Sequence, residues 1–315
     1  MTSPRILVVG SMNMDLNVYG VPKIPNFGES VVCSTYSYAT GGKGANQAYA
    51  ASLQGSDVTM AGRVGDDPNG RLLAENLKKA GINTDYVVFD QNAQTGLAPI
   101  MVDETGKYVS YVILGANDHL SAQDVLMAID SDQFDMILMQ LEMPLETVYR
   151  TYELAQERNI PVFLDAGPAM NIPLDRLQGL FIISPNEAEA KALTGISVDS
   201  ESECLEAAKQ LYERAKPQYV LLKLGSRGSC LYDGNKATIF PAFQVDAVDS
   251  TGAGDTFNAA FITRFCKGDS VEEAISFASA AAAICVSRLG AQPSIPYENE
   301  VHSFIKASDY KVSPY

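Results

Sequence analysis

The stretch FDMILMQLEMPLETVYRTYELAQERNIPVFLDA, residues 134–166, decides the fold class. FDMILMQ (134–140) and IPVFLDA (160–166) are short apolar runs, and between them residues 145–158 repeat apolar side chains at helical spacing. A buried strand, an amphipathic helix and a second buried strand form the unit from which parallel sheets are built. Runs of the same kind recur at ILVVG (6–10), DVTMAG (57–62), LFIISP (180–185) and QYVLLKLG (218–225). Helical patterns fall at roughly 44–54, 69–80, 121–130, 187–194, 201–215, 255–267, 271–287 and 297–307. This rhythm predicts an α/β fold, with an open, mostly parallel sheet flanked by helices.

Two segments break the rhythm. Residues from about 16–39 and 96–117 alternate apolar and polar side chains and carry turn signals at Pro25-Asn26 and Glu104-Thr105-Gly106. They read as antiparallel, hairpin-like strands inserted between βα units, whose small sheet would project from the main one as a lid. With no repeats, low-complexity tracts or linkers, residues 1–315 are expected to form one domain carrying that lid.

Composition narrows the function classes. A net charge of −15 argues against nucleic acid or an anionic membrane as the main partner, because phosphate backbones require clustered Lys and Arg. A nucleotide substrate remains compatible, since helix N-termini and single basic side chains can make a local site positive. The five cysteines form no CxxC pair, which suits a reducing compartment. The start, MTSPRILVVGSMNMDL, breaks its apolar run at Gly10 and reads as a first strand rather than a signal peptide. No run reaches the ~18 apolar residues of a membrane span. A soluble, cytoplasmic protein is expected.

Three motifs carry chemistry. GGKGANQ (41–47) brings backbone and one ammonium group to a helix start, and it lacks the spacing of a Walker A loop. By itself it is equally a turn before a helix. PNEAE (185–189) offers Asn186 and Glu189 to a hydrated Mg²⁺. The same spacing is that of a capping box, the simpler reading of this segment alone. DSTGAGDTF (249–257) sets small residues ahead of one acid where a helix begins. The amides of Gly252, Ala253 and Gly254 would form an anion hole, and Asp255 could take a proton from an attacking hydroxyl. Capping alone would need neither the two glycines nor the absence of bulk.

In this order the motifs resemble the ribokinase-like (PfkB-type) carbohydrate kinases. GSMNMDL (10–16), GGKGANQA (41–48), LMQLEMP (138–144), SPNEAE (184–189), LKLGSRG (222–228), DSTGAGDTFNAAF (249–261) and GAQPS (290–294) carry the resemblance nearly end to end. It implies ATP-dependent phosphorylation of the 5-hydroxyl of D-ribose. Deoxyribose, another pentose or a ketohexose are the alternatives, and a non-catalytic sugar or nucleotide sensor is the rival class. Asn13, Asp15, Gly41, Gly42, Lys43, Asn46 and Glu142 are implied to hold the sugar, with Asp255 as catalytic base. Asn186, Lys223, Gly225, Gly228, Gly254 and Ser279 are implied to hold ATP. Glu189 is implied to hold Mg²⁺ through water, and Asp249, Thr251, Cys285, Arg288, Gly290 and Ser294 to hold K⁺, mostly through backbone oxygens. A homodimer through the lid is implied as well, in keeping with strands whose apolar outer faces would otherwise lie bare.

One departure stands out. Where such kinases commonly carry Asn-Pro-Ala-Pro, this chain has Asp165, Ala166 and Gly167 before Pro168. A carboxylate near phosphates would need Mg²⁺ or a proton to neutralise it, so Asp165 is read as an outer ligand of the metal. His119 and His302 suit surface or cap roles rather than a metal site, and the lid tyrosines Tyr19, Tyr36, Tyr38, Tyr108 and Tyr111 suit strands as well as sugar packing.

Overall fold

A computed structural model describes residues 3–104 and 108–308. Among the described residues thirteen strands form two sheets. The larger contains β1 (Arg5–Val9), β4 (Asp57–Gly65), β5 (Asn83–Asp90), β8 (Met136–Met139), β9 (Val162–Asp165), β10 (Ile182–Ser184), β11 (Tyr219–Lys223), β12 (Ser229–Tyr232) and β13 (Ala237–Phe240). Their spatial order is β13-β12-β11-β10-β9-β8-β1-β4-β5. Pairing is parallel from β11 to β5 and antiparallel at β11–β12 and β12–β13.

The six predicted apolar runs are the contiguous centre of this sheet, β11 to β4. The pattern did not reveal β5, β12 or β13, which lie at its two ends. An outer strand has fewer neighbours covering it and need not be uniformly apolar: in β5, NTDYVVFD, only Val87 and Asp90 are buried.

Both faces of the centre are covered, which is why its strands read as continuous hydrophobic runs. In β1, Ile6 and Val8 enter one core and Leu7 and Val9 the other. The first core is closed by α1 (Lys43–Leu53), α2 (Pro68–Lys79), α7 (Ala253–Cys266), α8 (Val271–Val286) and α9 (Glu298–Ala307). The second is closed by α3 (Ala122–Ile129), α4 (Leu145–Glu157), α5 (Glu187–Thr194) and α6 (Glu201–Ala215). Each fully buried Ile or Leu contributes about 1.5–3 kcal/mol relative to an exposed one.

The smaller sheet has the order β3-β2-β6-β7, from β2 (Asn13–Tyr19), β3 (Thr35–Gly41), β6 (Gly96–Val102) and β7 (Tyr108–Ser110). The expected antiparallel pairs are present as β2–β3 and β6–β7, but β2 and β6 run parallel and join them. Residues 20–34 between β2 and β3 hold no strand, and the first turn closes from Glu29 N to Asn26 O. Thr105 and Gly106 of the second turn signal, and the side chain of Tyr108, lie outside the described residues. Because β2 starts at Asn13, three residues before the expected boundary, this sheet is rooted beside the carboxyl end of β1.

Candidate active site

In open α/β sheets ligands bind beyond the carboxyl ends of the strands, where loops and helix N-termini converge. Here Ser11 follows β1, Glu142 follows β8, Asp165 ends β9, Asn186 follows β10 and Lys223 ends β11. Asp255 comes from the other side, in the first turn of α7.

Toward the small sheet the site is a buried polar pocket. Glu142 Oε2 accepts from Ser11 Oγ at 2.5 Å, Lys43 N at 3.3 Å and Asn13 Nδ2 at 3.5 Å. Asn117, which the sequence reading missed, donates through Nδ2 to Asn13 Oδ1 at 2.8 Å and accepts Met12 N at 2.9 Å, so the orientation of the Asn13 amide is fixed. Gly41 is the register partner of Asn13, and Gly42 holds φ at 91° with Asn13 N only 2.6 Å from where a Cβ would stand. That conformation and approach both require glycine. Asp15 faces the same space. Burial, with repulsion from Glu142 and Asp255, pushes its carboxyl up to about 7.

Asp255 is buried, and both its oxygens are held. Gln47 Nε2 donates to Oδ1 at 2.9 Å and Asn46 Nδ2 to Oδ2 at 3.1 Å. Burial pushes its carboxyl up to about 6, with the Lys43 ammonium pulling the other way. Gly252, at φ 78°, precedes α7 without a side-chain cap. Of the three amides expected to form the anion hole, that of Ala253 donates to Ser250 O at 3.3 Å. First-turn N–H groups such as that of Gly254 have no intrahelical acceptor, and the helix dipole adds positive potential at this end.

On the strand side Asp165 is paired by the protein itself: Lys223 Nζ lies 2.6 Å from Oδ1 and Lys43 Nζ 3.4 Å from Oδ2. Burial disfavours its charge, but the two lysines outweigh that and hold the carboxyl at about 2. Gln47 Nε2 adds a hydrogen bond of 2.8 Å to Oδ2. Lys223 also donates to Ser184 O at 2.9 Å, and its stem passes 4.0 Å from the Cβ position of Gly254, beside the candidate anion hole. Gly167 leaves the room this cluster needs, for a Cβ there would fall 2.4 Å from Glu189 Oε1 and 2.6 Å from Lys43 Nζ. Burial opposes the charge of Lys43, yet Asp165, Asp255, Glu189 and Glu142 together raise its pKa well above the usual value.

Asn186 and Glu189 form the full capping box of α5, with Glu189 N donating to Asn186 Oδ1 at 2.9 Å and Asn186 N to Glu189 Oε2 at 2.7 Å. Glu189 Oε1 lies 3.9 Å from Lys43 Nζ. Burial, then Asp165, raise the Glu189 carboxyl. Among the described residues no group of three or more acidic, His or Cys side chains could hold a metal by itself. Glu189 offers a single carboxylate, which suits an ion such as Mg²⁺ that keeps water and phosphate oxygens.

Gly225, Gly228 and Ser279 line a cavity of about 200 Å³ whose walls include Phe243, Val245, Phe257 and Val286. An apolar slot with a few polar groups at its edge suits a flat heteroaromatic base.

Behind the start of α7, Asp249 Oδ1 accepts Thr251 N at 2.9 Å and Oδ2 accepts Gly290 N at 2.9 Å, tying two loops together. Cys285 Sγ is 3.0 Å from Ser294 Oγ and 3.8 Å from Thr251 O. Burial raises the Cys285 thiol, which keeps it neutral and leaves carbonyl, hydroxyl and carboxylate oxygens as donors, a set that fits a hard cation. The Arg288 side chain turns away to Glu300 at 2.6 Å, so only its backbone could serve there. His119 pairs with Asp90 at 2.9 Å, and His302 lies against Phe277.

Besides Asn117, the sequence reading missed Gln47, Gln140 and Gln292. All three sit inside motifs already singled out, but a neutral amide carries no chemistry that spacing reveals.

A polar pocket, a buried carboxylate at a helix start and a cationic floor, set at the carboxyl ends of a parallel sheet, define a phosphotransferase acting on a polyhydroxylated acceptor. The chain matches the pfkB family carbohydrate kinases over residues 3–298, and it belongs to that family. It is similar to the ribokinase of Bacillus subtilis (strain 168), with 37% identity over 302 residues, 96% of this chain and 99% of the relative. The structure of Arabidopsis thaliana ribokinase complexed with ribose and ATP superposes with a TM-score of 0.87 at 34% identity, covering 98% of this chain and 100% of that one. A deoxyribokinase of Salmonella typhi is 33% identical over 306 residues, 96% of this chain and 99% of the relative.

Proposed function

We propose that this chain transfers the γ-phosphoryl group of ATP to the 5-hydroxyl of D-ribose. One observation carries the reading: Asp255 is buried at the head of α7 between the polar pocket of Asn13, Asp15 and Glu142 and the ammonium groups of Lys43 and Lys223. Asn13, Asp15 and Glu142 accept or donate to sugar hydroxyls, while Gly41, Gly42, Lys43 and Asn46 close round the ring. A pocket of paired polar groups rejects a sugar that lacks one hydroxyl, because a buried partner is left unsatisfied.

In the reaction the 5-oxygen bonds to the γ-phosphorus, its proton passes to Asp255, and the bond to the β–γ bridging oxygen breaks to release ADP. Charge on the transferring group is met by the first-turn amides around Gly254 and by Lys43 and Lys223. A carboxyl held at about 6 is ionised at neutral pH yet basic enough to take the proton. Asn186, Gly225, Gly228 and Ser279 hold the nucleotide, its base in the apolar cavity. Glu189 would hold Mg²⁺ through water, where the ion would supply charge neutralisation for the phosphates, and the Asp249–Thr251 and Cys285–Ser294 loops would hold K⁺, which would supply support behind the anion hole. The small sheet acts as a lid that excludes water, a dimer forms through its outer face, and the protein works in the cytoplasm.

ADP release from MgATP in K⁺ buffer, across D-ribose, 2-deoxy-D-ribose, D-arabinose, D-xylose, D-fructose and no sugar, tests this. Clear preference for ribose is expected. Preference for deoxyribose or another sugar moves the assignment to a different member of the family, and no turnover with any of these sugars puts a sensor, or a sugar outside the panel, in front.

A further inference from the structure

The two donors that hold Asp255 are side-chain amides, and an amide can be turned round. Had either been reversed, a carbonyl oxygen would face the carboxylate and repel it. Each is pinned at its oxygen by a further glutamine: Gln140 Nε2 donates to Gln47 Oε1 at 2.6 Å, and Gln292 Nε2 donates to Asn46 Oδ1 at 3.1 Å. Gln292 is itself oriented, because its Oε1 accepts Thr40 Oγ1 and Asn76 Nδ2, both at 2.7 Å.

Gln140 has a further property. It is completely buried at the end of β8, and its Oε1 has no hydrogen-bond partner among the described residues. That oxygen lies against Gly10, 1.9 Å from where a Cβ would stand. A buried acceptor left unpaired is unfavourable, and an apolar side chain of the same length would fill the space without bringing one, though it would leave Gln47 Oε1 without its donor. Packing therefore does not account for a glutamine here. The hydrogen bond it donates does.

We propose that Gln140 and Gln292 are positioning residues of the reaction. By fixing the amides of Gln47 and Asn46 they hold both oxygens of Asp255 for the incoming hydroxyl, although neither is expected to touch a substrate. The same Gln47 amide also bonds Asp165, so this strut fixes the base relative to the lysine cluster. The proposal rests on Asp255 being the base.

The test compares Gln140→Met, Gln140→Glu and Gln292→Met, each alone and with Asp255→Asn, by steady-state kinetics, calorimetric binding of ribose and thermal unfolding. Gln140→Met exchanges one unpaired buried acceptor for another, its own Oε1 for that of Gln47, so little change in unfolding midpoint is expected. Its kcat should fall on the order of 10- to 100-fold, as expected for a misplaced reacting group, while both KM values stay within about 2-fold. Gln140→Glu, which cannot donate when ionised, should lose at least as much, and Gln292→Met should show the same split between kcat and KM. In the Asp255→Asn background the residual turnover should not fall further. Unchanged kcat in the folded single variants, or equal losses in both backgrounds, overturns the proposal. Parental turnover in Asp255→Asn alone would instead remove the base assignment, and the proposal with it.

Discussion

Asp165 is 1% exposed and lies between two ammonium groups, which compensate its charge within the protein. Removing one partner of a buried ion pair leaves the other uncompensated, which typically costs about 3–5 kcal/mol. Asp165→Asn should lose about that much in urea unfolding, and Asp165→Asn with Lys223→Met should regain part of it. Asp255→Asn should retain ribose and nucleotide binding by calorimetry while kcat falls about 10²- to 10⁴-fold, the usual worth of general-base catalysis. Asp15 sets a pH dependence. Ionised, it accepts from sugar hydroxyls through both oxygens and more strongly than when protonated, and its carboxyl is raised to about 7, so kcat/KM for ribose should fall as pH drops through 7 and level off above it. The sign for stability is opposite. Between the ordinary 3.8 and about 7 the folded chain holds a proton that the unfolded chain has lost, so in this window Asp15 makes unliganded protein less stable as pH rises. Kinetic and thermal-melt profiles from pH 5 to 8 would read both. Asp165 was visible in the sequence as a departure, but its partner Lys223 lies 58 positions away and no local pattern links them.

At the scale of elements, β2 contributes to the site and presents an apolar outer face. Asp15 points into the pocket, while Leu16 and Val18 pair in register with Tyr38 and Tyr36 on the opposite face. Tyr36 and Tyr38 remain 65% and 60% exposed, and their rings meet edge to face. An apolar sheet face of this kind is a liability unless covered, which is the basis for proposing a dimer there. Tyr36→Lys with Tyr38→Lys should convert a dimer to a monomer in sedimentation, and a parent chain that sediments as a monomer would remove the idea. The alternation of β2 and β3 was legible in the sequence; the parallel β2–β6 pairing was not, because strand partners separated by a whole βαβαβ segment leave no local signal. The helices were legible from their apolar spacing, and several begin with a capping box, as at Ser121, Asn186, Ser200 and Ser270.

For the molecule as a whole, the two cores on either face of the sheet fix the strand ends, and the site is the set of residues those ends carry together. Asn13, Lys43, Glu142, Asp165, Lys223 and Asp255 come from six separate segments. Ligands that bind only this assembled arrangement must stabilise all of it. Ribose at about 100 times its dissociation constant should raise the unfolding free energy by about 2.7 kcal/mol, visible as a higher melting midpoint, and a sugar that is not a substrate should leave it unchanged.

The sequence by itself determined the α/β class, the central strands and the helices, because buried parallel strands and amphipathic helices write periodicities of their own. It also marked Asp255 and the motifs around it, because small residues ahead of an acid at a helix start have little structural reason to be there. Only the tertiary structure decided which groups meet. The lysine pair on Asp165, the Asn117 prop behind Asn13, and the orientation of the amides on Asp255 depend on contacts between segments up to 246 positions apart. Hydrogen bonds and ion pairs act over a few ångströms of space, and a linear sequence records that proximity only where the chain stays local.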